Sequence, residues 1–119
     1  MDTDPVLVCL RIYDEMRAAA AEGRTITCTE LGERVGLPQS SPECRIGLCR
    51  LMDVINEHMH QRGHPMLSAV VVTKEQGRPM LGFFDQARNL GRFSGGDHTA
   101  FFQEELRRVY ECWSRADLG

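Results

Sequence analysis

The sequence predicts an α+β fold in which three helices and a β-hairpin follow one another in the order of a winged helix-turn-helix, with one more helix at the C-terminal end. Three observations lead there. Helix-start signatures recur at Asp4-Pro5, at Thr27 with Glu30, and at Ser41-Pro42-Glu43. An apolar, β-branched stretch over residues 67–73 is followed by a turn and a second extended stretch. A final amphipathic segment opens at Asp97.

In the first helix Asp4 can cap and Pro5 suits the first helical position. Val6, Leu7, Leu10, Tyr13 and Ala20, with Cys9 and Met16 beside them, mark its expected buried stripe, and Gly23 ends it. Thr25-Ile26-Thr27 suits a brief strand. Thr27 then caps a short second helix as part of a capping box, with Glu30 expected to reach back. Gly36 closes that helix and residues 37–41 form the turn. The third helix is expected from Pro42 to about Gln61, with Leu48, Leu51, Met52, Ile55 and Met59 as its core stripe. Gly47 lies inside it at a cost of ~1 kcal/mol against alanine, which close packing or close ligand approach would explain.

Residues 67–73 read as a strand, 74–77 as a turn and 78–84 as the returning strand, with Pro79 marking an edge or a strand's beginning. Residues 74–79 would then be the wing, and the second and third helices the helix-turn-helix. Residues 85–97 read as a glycine-rich loop. Asp97 caps a last helix with Phe102, Leu106, Val109, Tyr110 and Trp113 on one face. There is no internal repeat, and one domain covers residues 1–119.

A chain of 119 residues, 42% hydrophobic and 26% charged, can bury one core without staples. No apolar run approaches the ~18 residues of a membrane span, and the acidic N-terminus does not resemble a signal peptide. Five cysteines, an odd number without a CxxC pair, read as reduced, core-type side chains of a cytoplasmic protein. The net charge of −3 argues against coating nucleic acid by charge alone. Its distribution is uneven: four basic and eight acidic side chains in residues 1–44, seven and four in 45–92, three and five in 93–119. A basic middle permits one anion-facing surface; an ordinary solvated mixture of charges is the other reading.

Residues 25–38, Thr-Ile-Thr-Cys-Thr-Glu-Leu-Gly-Glu-Arg-Val-Gly-Leu-Pro, resemble the opening of the DNA-binding domain of the alkylguanine-DNA alkyltransferases. There a valine-threonine-threonine-tyrosine strand leads into a helix-turn-helix. Arg45-Ile46-Gly47-Leu48 is similar to that family's arginine-alanine-valine-glycine start of the recognition helix, with the glycine displaced by one place. Residues 65–83 resemble its active-site strand, wing and glycine-tyrosine ending, so that the similarity covers roughly residues 25–84. Where the family carries proline-cysteine-histidine-arginine, this chain carries Pro65-Met66-Leu67-Ser68. Neither a thioether nor an aliphatic chain supplies a thiolate or a base. The resemblance thus implies a binding module without the reaction, like the non-catalytic alkyltransferase-like proteins.

It also implies a role for Arg45, since the family's matching arginine enters the base stack where a base is flipped out. In the first turn of the third helix, base or phosphate contact is geometrically possible; pairing with Glu43 or an acid of the first helix is the competing account. Ser40 and Ser41 lie where amides and hydroxyls can hold a phosphate, although capping alone also accounts for Ser41. Lys74 and Arg78 flank the wing turn and either contact a DNA backbone or protect a sheet edge. His58, His60 and His64 lack the spacing and partners of a ligand set. Cys44 and Cys49, five apart on a helix, are badly placed for a shared ligand or disulfide. No Ser-His-Asp arrangement, phosphate loop or paired carboxylate is recognisable, and no cofactor is expected.

The expected function is non-catalytic binding of double-stranded DNA through Ser40, Ser41, Arg45, Arg50, Lys74 and Arg78, as a small regulator. The alternative is a module binding a protein partner, such as an inhibitor or adaptor from a phage or mobile element, with Phe83-Phe84 and the 85–97 loop as an exposed surface. Basic residues gathered on one face would favour DNA; acids around Arg45 would favour protein.

Overall fold

A computed structural model describes residues 4–118, with side chains to Ser114. Five α-helices dominate it: α1 (Pro5–Ala21), α2 (Cys28–Arg34), α3 (Pro42–Gln61), α4 (Leu81–Asn89) and α5 (His98–Leu118). Two strands of two residues each, β1 (Ile26–Thr27) and β2 (Val71–Val72), pair in parallel with Ile26 opposite Val71 and Thr27 opposite Val72. The expected α+β winged helix-turn-helix is therefore overturned: the chain is mostly helical, and no β-hairpin occurs among the described residues.

The helix starts follow local chemistry. The Asp4 carboxylate accepts from the Val6 N–H at 3.0 Å, and the Thr27 hydroxyl from the Glu30 N–H at 3.1 Å. Ser41 Oγ accepts from the Cys44 N–H at 3.4 Å, and Asp97 Oδ1 from the Thr99 and Ala100 N–H groups. The Glu30 side chain does not reach back to its cap as expected; it pairs with Arg34 at 2.7 Å, and Arg34 also holds Glu15 at 3.0 Å.

Residues 65–72 run through the centre of the molecule, every one of them buried, packed against α1, α3 and α5. Leu67–Val70 coil into a single 3-10 turn, and only Val71–Val72 are extended. The strand expected over residues 67–73 is cut short because its partner is short. Thr27 leaves β1 at once to cap α2, so only two residues remain to pair. A buried segment without a ladder must satisfy its backbone otherwise. Here the Met66 N–H donates to Glu105 Oε2 at 2.9 Å, and the Ser68 N–H to Asn56 Oδ1 at 3.1 Å.

The returning strand over residues 78–84 is also overturned, since α4 begins at Leu81. Adjacent Phe83 and Phe84 are both buried. A strand would send them to opposite faces, whereas a helix places both on one side with Ala87. They enter an aromatic cluster: Phe84 meets the His98 ring at 4.5 Å and Phe93 meets Phe101 at 4.8 Å. The expectation that Phe83-Phe84 are exposed is accordingly wrong, and the loop expected over 85–97 is shortened by the last turns of α4. In place of a wing, residues 73–78 form an isolated turn in which the Thr73 N–H donates to the Arg78 carbonyl at 2.9 Å.

In α1 the buried residues are Ile12, Met16, Ala19 and Ala20, while Val6, Leu7 and Leu10, assigned to its core stripe from the sequence, are exposed. The α3 stripe buries Leu48, Met52, Ile55 and Met59 as expected, leaves Leu51 half-buried, and also buries Asn56. On α5, Phe102 and Val109 are buried, and Trp113 sets its ring edge-on to Tyr13 of α1 at 5.9 Å. Glu105 lies on the same inward face, 1% exposed.

Two glycines have opposite surroundings. A Cβ on Gly32 would collide with the Leu37 carbonyl and come within 2.9 Å of Gln39, so the turn between α2 and α3 closes only over a bare backbone. A Cβ on Gly47 would meet nothing within 4 Å, so the close packing expected of that position is absent. Gly47→Ala is expected to raise stability by ~0.5–1 kcal/mol through helix propensity. Gly32→Ala is expected to lower it by ~1–3 kcal/mol through overpacking. Urea midpoints of the two variants will have opposite signs relative to the parent chain.

Candidate functional site

The turn between α2 and α3 brings together three of the six residues assigned to binding, Ser40, Ser41 and Arg45. Ser40 is exposed at its tip, and Ser41 is committed to capping α3, its hydroxyl also 3.4 Å from Glu43 Oε2. Arg45 is exposed in the first turn of α3. One terminal nitrogen donates to the Gln39 carbonyl at 3.0 Å, tying the guanidinium over the turn. Neither Glu43 nor an acid of α1 pairs with it, in contrast to the alternative raised from the sequence. Its remaining donors face solvent. Arg50 is exposed further along α3.

Lys74 and Arg78 are exposed on the 73–78 turn, where Arg78 Nε donates to Gln76 Oε1 at 3.2 Å. They are turn residues rather than wing residues. Just after that turn, Pro79 and Met80 line one cleft of about 200 Å³ with Cys28 and with Cys49 and Asp53 of α3. Cys49 stands one helical turn after Arg45. The exposed cations thus stand at two places, α3 and the 73–78 turn, and acids stand among them, since Glu43, Asp53, Glu57 and Glu75 are exposed as well.

Among the described residues, Arg17, Arg24, Arg34, Arg88, Arg92, Arg107 and Arg108 each lie within salt-bridge distance of a carboxylate. Arg45, Arg50, Lys74 and Arg78 do not, nor do Arg11 and Arg62. In a chain with more acidic than basic side chains, this separates paired cations from available ones.

Burial, and then the neighbouring Cys49, push the Cys28 thiol up to about 11. Burial also raises the Cys49 thiol, and burial with Glu57 nearby raises the Asp53 carboxyl. At pH 8 a thiol of this kind is ionised to only about one part in a thousand, against roughly a quarter for an ordinary cysteine. Cys28 is therefore expected to alkylate ~100-fold more slowly than a free thiol, which pulsed iodoacetamide labelling with peptide mapping will measure. Labelling at the free-thiol rate would show that Cys28 is not shielded.

Pro65, Met66, Leu67 and Ser68, read from the sequence as the counterpart of the alkyltransferase catalytic run, are buried. His58, His60 and His64 do not form a ligand set, and no group of three metal-ligating side chains occurs among the described residues. His58 accepts from Arg62 Nε at 3.1 Å, His60 Nδ1 is 3.4 Å from Arg92, and His64 Nδ1 is 3.5 Å from Cys112 Sγ. All five cysteines are half-buried and unpaired.

No protein-family model, no curated protein and no solved structure matches the chain. Among the described residues, no helix is long and apolar enough to cross a membrane.

Proposed function

We propose that this chain is a non-catalytic DNA-binding module that lays the first turns of α3 against a duplex, with the 73–78 turn as a second backbone contact. The observation that carries this reading is the availability of Arg45, Arg50, Lys74 and Arg78, exposed and without carboxylate partners while seven other arginines are paired. Arg45 is also pre-positioned by the Gln39 carbonyl, which reduces the entropy lost when its other donors engage a phosphate or base edge. The resemblance of residues 25–48 to an alkyltransferase helix-turn-helix supports the same assignment; residues 78–84, being largely helical, lend it nothing.

A second reading is favoured by a different observation. Ile46, Met80 and Leu81 are exposed, Leu81 at 76%, with acids interleaved among the cations. Apolar centres with mixed charges around them belong to protein interfaces more than to DNA-binding surfaces.

Titration of random-sequence duplex DNA at two salt concentrations separates the two. With about four phosphate contacts, affinity falls roughly a hundredfold for a fourfold rise in salt. Arg45→Ala is expected to weaken binding by ~1–3 kcal/mol, and Lys74→Ala to reduce the salt slope by about one. Both should keep the parent melting temperature. Absence of binding at low salt overturns the DNA reading and leaves the protein-partner reading, to be tested at Ile46, Met80 and Leu81.

A further inference from the structure

On another part of the molecule, a cleft of about 380 Å³ opens between α1, α3 and α5. Tyr13, Ile55, Met59 and Trp113 form its walls, and Leu10 and Val54 stand at its mouth, 54% and 56% exposed. Its charge character is one-sided. His58, Arg62 and His64 line it, and no aspartate or glutamate does. Arg62 has no carboxylate partner among the described residues. Its Nε donates to His58 Nε2 at 3.1 Å, one helical turn earlier, which leaves both terminal amino groups of the guanidinium for an external acceptor.

A cation at the end of α3 is favoured by the helix dipole, and this alone gives Arg62 a place. The dipole does not account for an apolar cleft of ligand size beside it, nor for the absence of acids along that cleft. An apolar cavity of 300–1,000 Å³ with a few convergent polar groups is the usual form of a small-molecule site. A planar guanidinium fixed at its Nε matches a carboxylate through two parallel hydrogen bonds.

We infer that this cleft is a binding site for a small free carboxylate bearing an alkyl chain or aromatic ring, its apolar part between Tyr13 and Trp113 and its carboxylate on Arg62. The inference is independent of whether the chain binds DNA.

The chain has a single tryptophan and it lines the cleft, so its emission reports occupancy directly. The test titrates the protein with octanoate, kept below its micelle-forming range, and in parallel with octan-1-ol. Octanoate should give a saturable change in emission, with octanol at least tenfold weaker. Arg62→Met keeps an apolar stem but removes the guanidinium, and should bring octanoate down to the affinity of octanol, while the melting temperature falls by a few degrees at most through loss of the charge at the helix end. Val54→Glu places a negative charge at the mouth on an exposed position and should abolish octanoate binding. No saturable response to octanoate, equal affinity for octanol, or an Arg62→Met variant that binds octanoate as the parent does would each overturn the assignment.

Discussion

Glu105→Ala is expected to cost about 3–5 kcal/mol of folding stability, a large part of the ~5–15 kcal/mol that domains of this kind possess. Glu105 is 1% exposed and holds two groups together. Its Oε2 accepts from Arg92 Nε at 2.7 Å and from the Met66 N–H at 2.9 Å, while Oε1 accepts from Arg92 at 3.1 Å. Removing it strands a largely buried guanidinium and a buried backbone donor at once, inside the cavity the side chain leaves. The melting temperature should fall by on the order of 15 °C. Glu105→Gln keeps an acceptor for Met66 but loses the charge, and should fall between the alanine variant and the parent. Arg92→Ala leaves the carboxylate buried with the Met66 N–H as its remaining partner, so it should also destabilise, and the double variant should cost less than the sum of the singles. Thermal and urea unfolding of the four proteins will decide it. A loss below ~1 kcal/mol for Glu105→Ala would mean that water replaces the carboxylate and that residues 65–72 do not depend on it.

Asn56→Asp is expected to be nearly as damaging although it changes shape hardly at all. Asn56 Nδ2 donates to Ser68 Oγ at 2.7 Å and to Gln86 Oε1 at 2.9 Å, and its Oδ1 accepts from the Ser68 N–H. Gln86 Nε2 passes the connection back to the Asp53 carbonyl at 2.7 Å. One amide thus joins α3, the buried 3-10 turn and α4. A carboxylate has no donor to offer Gln86 Oε1 and brings an unpaired charge into a buried site, so a loss of ~3 kcal/mol or more follows. Asn56→Ala should cost ~2–4 kcal/mol from the cavity and the unsatisfied Ser68 N–H. Hydrogen exchange adds a local readout: the Ser68 amide should be among the most protected in the parent and open below the global unfolding energy in Asn56→Ala. An Asn56→Asp protein that melts with the parent would show that the network is not a structural link.

The sequence by itself determined the helix starts at Asp4-Pro5, Thr27, Ser41-Pro42 and Asp97, the extent of α3, and the inward faces of α3 and α5. Caps, turn glycines and helical periodicity act between residues two to four apart, so their chemistry is complete within a few letters. It also supplied the residue types of the candidate site, since Arg45, Arg50, Lys74 and Arg78 stand in exposed turn and helix positions. Only the tertiary structure decided the pairings of Arg92 with Glu105 and of Arg34 with Glu15, which lie far apart in the chain, whereas the other ion pairs join residues two to four apart. The same holds for residues 65–72 and 81–89. An apolar β-branched run suits a strand or a segment buried among helices equally well, and two consecutive phenylalanines declare their element only when a neighbour claims one face. Here α5 and the rings of Phe93 and Phe101 make that claim, while β1 is too short to extend the run that a hairpin would have needed. The exposure of Leu10 and the cleft beside it were equally out of reach, for a helix with apolar residues on more than one side buries whichever side the rest of the molecule covers.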